Sequence, residues 1–171
     1  MYLLQGGKIK VNVPNFLVEI LDKDIEHFNL SKNGLYNLIF LKYALKFRSN
    51  YSEEFGFDDK KYIQIQLNKE NRKLFRDITK DQLQLSNSEI MREILLAYAV
   101  MPSFIRESIL YREKIAFIKN SQKEYRVLKI RTPEGIIEDR IEKLFRDKED
   151  NYFKIRVAKK DYYISQCEII S

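Results

Sequence analysis

Two short runs of the chain alternate apolar and polar residues without a break. In KIKVNV, Ile9, Val11 and Val13 fall on one side and Lys8, Lys10 and Asn12 on the other. In YIQIQL, Ile63, Ile65 and Leu67 oppose Tyr62, Gln64 and Gln66. A period of two predicts strands with one buried and one polar face. Behind each run the period lengthens to that of a helix. Pro14 opens a first helix with Leu17, Ile20, Leu21, Ile25 and Phe28 on its stripe, and KENRKLFRDITKDQL places Leu74, Phe75, Ile78 and Leu83 similarly. A second, capped helix then follows in each half. LSKNGLYNLIFLKYA matches LSNSEIMREILLAYA, with Leu30-Ser31 over Leu85-Ser86, Leu35 over Ile90 and Tyr43-Ala44 over Tyr98-Ala99. This is one strand-helix-helix unit used twice, and neither copy can bury its apolar face alone. The two strands are expected to pair as a single intramolecular antiparallel ribbon, since each otherwise leaves an open edge.

After Pro102, SFIRESILYREK predicts a short linking helix. From Lys114 onward five β-rich runs are expected: KIAFIK, KEYRVLKIRT, IIEDRIEKLFR, NYFKIRVAK and DYYISQCEII, parted by turn residues such as Pro133-Glu134-Gly135. Five short strands in so few residues predict a small barrel. The fold class is thus α+β. The divisions are a first unit at 1–45, a connector at 46–61, a second unit at 62–101, a linking helix at 102–113 and the barrel at 114–171.

Charge narrows the partners. The 171 residues carry 31 Lys and Arg against 25 Asp and Glu, a net charge of +6, and from Arg112 onward the count is 15 against 11. On the barrel Arg126, Lys129, Arg131, Arg140, Lys154 and Arg156 interleave with Tyr125, Phe145, Tyr152, Phe153, Tyr162 and Tyr163. Cations that neutralise phosphates beside rings that stack on bases suit single-stranded nucleic acid, which places the candidate site on those six cations and Tyr152. The ribbon offers a second set for groove or phosphate contact: Lys8, Lys10, Asn12, Gln64 and Gln66, with the capping hydroxyls Ser31 and Ser86. Chemistry finds few candidates. His27 lies in a charged helix with no metal-ligand spacing around it, Cys167 stands alone, Asp58-Asp59 and Asp22/Asp24 read as solvated charge, and no Gly-rich phosphate loop is present. No enzyme, cofactor or metal is expected. MYLLQGG lacks a basic leader and no apolar run reaches the ~20 residues that span a bilayer, so a cytoplasmic protein without membrane contact is expected.

The repeated unit, LSNSEIMREILLAYA above all, resembles the ribbon-helix-helix family. That resemblance implies a ribbon entering the DNA major groove while the start of each second helix grips a phosphate. The later segment resembles the WYL domain, an SH3-like or Sm-like barrel. IAFIKNSQKEYRVLKIRTP is similar to that family's first hairpin, and the namesake tripeptide falls on Asn151-Tyr152-Phe153. Together the two parts resemble the accessory proteins encoded beside type VI-D CRISPR effectors. This implies binding of single-stranded RNA, a CRISPR effector protein as partner and enhancement of its RNA targeting. The alternative is a duplex-DNA-binding transcriptional regulator whose WYL-like domain senses a ligand. A homodimer is also expected, because so small a barrel rich in aromatics leaves apolar surface open.

Overall fold

The computed structural model describes residues 7–44, 60–80 and 85–170 and divides into two units, Met1–Val100 and Met101–Ser171. Most of the expected connector, and Leu83, lie outside the described residues. The first unit runs β1 (Lys8–Pro14), α1 (Asn15–Phe28), α2 (Lys32–Tyr43), β2 (Lys60–Gln66), α3 (Lys69–Thr79) and α4 (Asn87–Ala99). β1 and β2 pair antiparallel, with Lys8 opposite Gln66, Lys10 opposite Gln64 and Asn12 opposite Tyr62. The alternation therefore sorts the two faces. Ile9, Val11, Val13, Ile65 and Leu67 are buried under the helices, whose Leu17, Leu21, Leu35, Ile39, Phe40, Phe75, Ile90, Ile94 and Leu95 complete the core.

The helices begin where short polar side chains can satisfy the first free N–H groups. Ser31 Oγ accepts from the Gly34 amide at 2.9 Å, Ser86 Oγ from Glu89 at 3.1 Å and Asn68 Oδ1 from Asn71 at 2.8 Å. Side chains from the second helices also close the outer edges of the ribbon. Asn33 Oδ1 accepts from the Gln66 amide at 3.0 Å, Asn37 Nδ2 donates to the Gln66 carbonyl at 2.8 Å, and Asn71, itself buried, donates to the Asn37 carbonyl at 2.9 Å. On the other strand Ser88 Oγ donates to the Lys10 carbonyl at 2.6 Å. Backbone groups that would otherwise template a further strand are thereby occupied. Asp24, expected as solvated charge, is instead fully buried and accepts from the Tyr98 hydroxyl. It sits one helical turn from Leu21 and Phe28 and two from Leu17, and burial of a carboxylate requires such a partner.

The second unit comprises α5 (Ser103–Leu110), α6 (Arg112–Lys123), β3 (Leu128–Thr132), β4 (Gly135–Asp139), β5 (Ile141–Arg146), β6 (Phe153–Val157), β7 (Lys160–Tyr163) and β8 (Glu168–Ile169). The strands form two three-stranded sheets, ordered β4-β3-β8 and β5-β6-β7, around one core of Ile115, Ile118, Leu128, Ile130, Ile141, Ile155, Val157, Tyr162, Ile164 and Cys167. This corrects three expectations. No closed barrel forms among the described residues. KIAFIK, expected as a strand and as part of a first hairpin, is the middle of α6, because Ile115 and Ile118 are buried three residues apart while Ala116 and Phe117 between them face out. IIEDRIEKLFR is two strands in different sheets, broken at Arg140, where the exposed Asp139 side chain accepts from the Arg140 amide at 2.7 Å. Cys167 is buried, and burial pushes its thiol up to about 11.

Candidate nucleic-acid interface

Helix α6 ends in an unusual way. The Arg126 amide donates back to Ser121 at 3.0 Å and the Tyr125 amide to Gln122 at 3.2 Å, which forces Tyr125 into the left-handed region, φ 51°. The same closing turn at the end of α1 uses Asn29, φ 53°, a residue that tolerates this region. A tyrosine there costs about 1–2 kcal/mol. Its ring gains little from the core in return, since Tyr125 is 75 % exposed. The Arg140 guanidinium lies 5.7 Å from the Tyr125 ring centroid, and that of Arg126 lies 5.6 Å from Phe117. Arg126 and Arg140 form no ion pair with a described residue, so both charges are available to phosphate. A cleft of about 290 Å³ opens beside Arg140, lined by Ser121, Gln122, Tyr125, Arg140, Ile141 and Glu142.

The outer face of the β5-β6-β7 sheet carries the second cluster. Strand pairing sets Lys143 beside Arg156, Phe145 beside Lys154, and Tyr163 and Asp161 beyond them. The cations here lie against rings: Lys143 Nζ is 5.0 Å from the Phe145 centroid and Lys154 Nζ 4.6 Å from Tyr163. Lys154 and Arg156 are also neutralised. Lys154 pairs with Asp147 at 2.8 Å and Arg156 with Asp161 at 2.7 Å, while on the other sheet Arg131 pairs with Glu168 at 2.8 Å. The Lys154 ammonium, helped by the Glu149 and Asp150 amides, holds the Asp147 carboxyl down at about 2. A depressed acid stabilises the fold fully above its ordinary value near 3.8 and loses that contribution as pH falls through about 2. Asp147→Asn should therefore melt with a flatter pH dependence between these values than the parent, as thermal scans across that window would measure.

The expected contacts differ in how far they reach the surface. Tyr152 is 1 % exposed and its hydroxyl accepts from Arg106 at 3.5 Å, so it cannot stack on a base; it is a core residue at the mouth of β6. Lys129 is half-buried in β3 and its carbonyl accepts from the Ile170 amide at 2.8 Å. In the first unit Lys8, Lys10 and Gln64 are exposed and Asn12 and Gln66 half-buried on the polar ribbon face, where Lys10 Nζ stands 4.6 Å from the Tyr62 ring. The two strands contain four lysines and no carboxylate. Ser31 and Ser86 are exposed, with their oxygens engaged by their own helices.

The chain shares its fold with a solved structure described as that of a CRISPR Cas-related protein. The TM-score is 0.60 at 11 % sequence identity, over 98 % of this chain and 63 % of the other. This chain thus spans under two thirds of that protein's length. No protein-family model and no curated protein matches the sequence. No helix among the described residues is long and apolar enough to cross a membrane.

Residues that the charge and aromatic pattern passed over are Gln122, Glu142 and Lys143. Glu142 sits at an irregularity in β5, where the register with β6 shifts between Ile141 and Lys143. An extra residue on one strand re-aims a side chain, and nothing in the local composition announces it.

Proposed function

We propose that the chain is a non-enzymatic, nucleic-acid-binding accessory protein of a CRISPR system, with single-stranded RNA as its polymer and an RNA-targeting effector of the type VI-D kind as its partner. The observation that carries this reading is the pair of exposed guanidinium-aromatic contacts, Arg140 with Tyr125 and Arg126 with Phe117, free of carboxylate partners. Splayed bases stack on such rings and on guanidinium planes, whereas a duplex keeps its bases covered. The fold shared with a CRISPR Cas-related protein supports the setting. The paired antiparallel ribbon supports the ribbon-helix-helix part of the resemblance. The reading invokes neither metal nor cofactor.

A second reading, a duplex-DNA-binding regulator, is favoured by one observation: the polar ribbon face is exposed and its strands carry lysines without a carboxylate. Self-association in either case would use apolar side chains left exposed, Val127 and Ile136 among them. Light scattering at micromolar concentration tests the homodimer. Labelled single-stranded RNA titrated against duplex DNA of equal length at two salt concentrations tests the polymer. The proposal expects tighter RNA binding that Lys8→Glu with Lys10→Glu leaves in place. Tighter duplex binding, abolished by that same pair, would transfer the function to the ribbon.

A further inference from the structure

The cleft beside Tyr125 has more definition than a general backbone contact requires. Three departures from regular structure converge on it. Tyr125 occupies a left-handed position at the end of α6, Arg140 occupies the break between β4 and β5, and Glu142 occupies the register shift at the start of β5. Strained backbone and bulges of this kind cluster where a side chain must be aimed at a ligand. At about 290 Å³ the cleft lies at the small end of ligand pockets, the size for one planar group and not for a strand. Its lining is equally selective. It offers an aromatic face in Tyr125, a cation in Arg140, an amide with both donor and acceptor in Gln122, and a carboxylate in Glu142 that only accepts.

Resting on the reading that the second unit binds single-stranded RNA, we propose that this cleft takes one flipped-out base and selects guanine. Two carboxylate oxygens side by side need two neighbouring donors. Of the four RNA bases only guanine presents them, in N1–H and the N2 amino group. Adenine and cytosine offer one donor beside an acceptor lone pair, and uracil one donor between two acceptors, so each sets at least one lone pair against Glu142. The Gln122 amide can donate to guanine O6, the Tyr125 ring supplies the stacking face, and Arg140 at the rim meets the phosphate. Arg156, whose guanidinium also feels the Glu142 charge, is already held through two nitrogens by Asp161. Glu142 is thereby left to the ligand.

The test measures fluorescence anisotropy of labelled, unstructured RNA octamers without guanine, and of the same octamers with a single central guanine, on the full chain. The expected result is a preference for the guanine octamer of at least about tenfold, the scale of a good bidentate base contact. Glu142→Gln should remove that preference while the guanine-free octamer binds as before or tighter, one negative charge having gone. Tyr125→Gly, which suits the backbone better than tyrosine, should lower affinity for both octamers in a folded protein. Equal affinity of the parent for the two octamers, or a preference that survives Glu142→Gln, overturns the guanine site while leaving the RNA reading intact. Failure of the parent to bind either octamer at low salt overturns that reading itself.

Discussion

Replacing Arg126, Lys129 and Arg140 together by glutamate is expected to weaken single-stranded RNA binding roughly 50-fold at about 0.15 M salt, and to flatten its salt dependence. The size follows from counterion release. Each phosphate contact on a single strand contributes about 0.7 to the slope of log affinity against log salt, which is about fourfold at that concentration and compounds over three contacts. A control set separates this from loss of net charge. Arg131, Lys154 and Arg156 were equally plausible from sequence, but each already has a carboxylate within 3 Å, in Glu168, Asp147 and Asp161. To reach a phosphate they must first give up that partner, so glutamate at these three positions should cost less affinity and leave the slope nearly unchanged. A filter-binding or anisotropy titration at four salt concentrations measures both quantities. The opposite ranking, with the paired cations carrying the slope, would move the interface to the outer face of the β5-β6-β7 sheet.

The contrast between these sets shows how far residue pattern reaches. Alternation alone located both ribbon strands and their buried faces, because a period-two run with lysine, asparagine and glutamine outward has one stable orientation over a helical layer. The capping serines were equally legible, as Ser31 and Ser86 cap the helices the repeat predicted. Failure came where β-branched and aromatic residues sat in a helix. KIAFIK has strand-like composition, and only the three-residue spacing of Ile115 and Ile118, read against exposed Phe117, reveals the helix. That error hid the one local clue to the site. Once α6 is known to end at Lys123, Tyr125 stands where glycine or asparagine belongs, and a bulky residue in that position signals a role other than folding. Carboxylate partners are a different matter. Nothing local ties Arg131 to Glu168 or Lys154 to Asp147, since the sheets bring them together. Tyr152 likewise was buried by tertiary packing that composition does not encode.

Glu107→Ala should be the most destabilising substitution of a charged residue in the second unit. Helix α5 sets Arg106 and Glu107 side by side, 2 % and 0 % exposed. Glu107 Oε1 accepts from the Phe153 amide at 2.6 Å, the first residue of β6, while Arg106 donates to the Met101 carbonyl at 2.7 Å and towards Ser103 and Tyr152. A hydrogen bond to a buried carboxylate contributes about 1.5–3 kcal/mol, and alanine would also leave a half-buried amide without its acceptor. A loss of about 3 kcal/mol is expected, which in a unit of this size lowers the melting temperature by more than about 10 °C. Glu107→Gln keeps an oxygen for the Phe153 amide and should lose about half as much. Tyr152→Phe, which keeps the buried ring and both charges of the Arg106 and Glu107 side chains, should lose less again. Urea or thermal unfolding followed by circular dichroism ranks the three. These substitutions also distinguish scaffold from contact. Glu107 and the Phe153 amide hold the scaffold and offer no phosphate contact, so RNA affinity of Glu107→Ala should recover on cooling below its transition, whereas affinity lost by charge reversal at Arg126 and Arg140 should not.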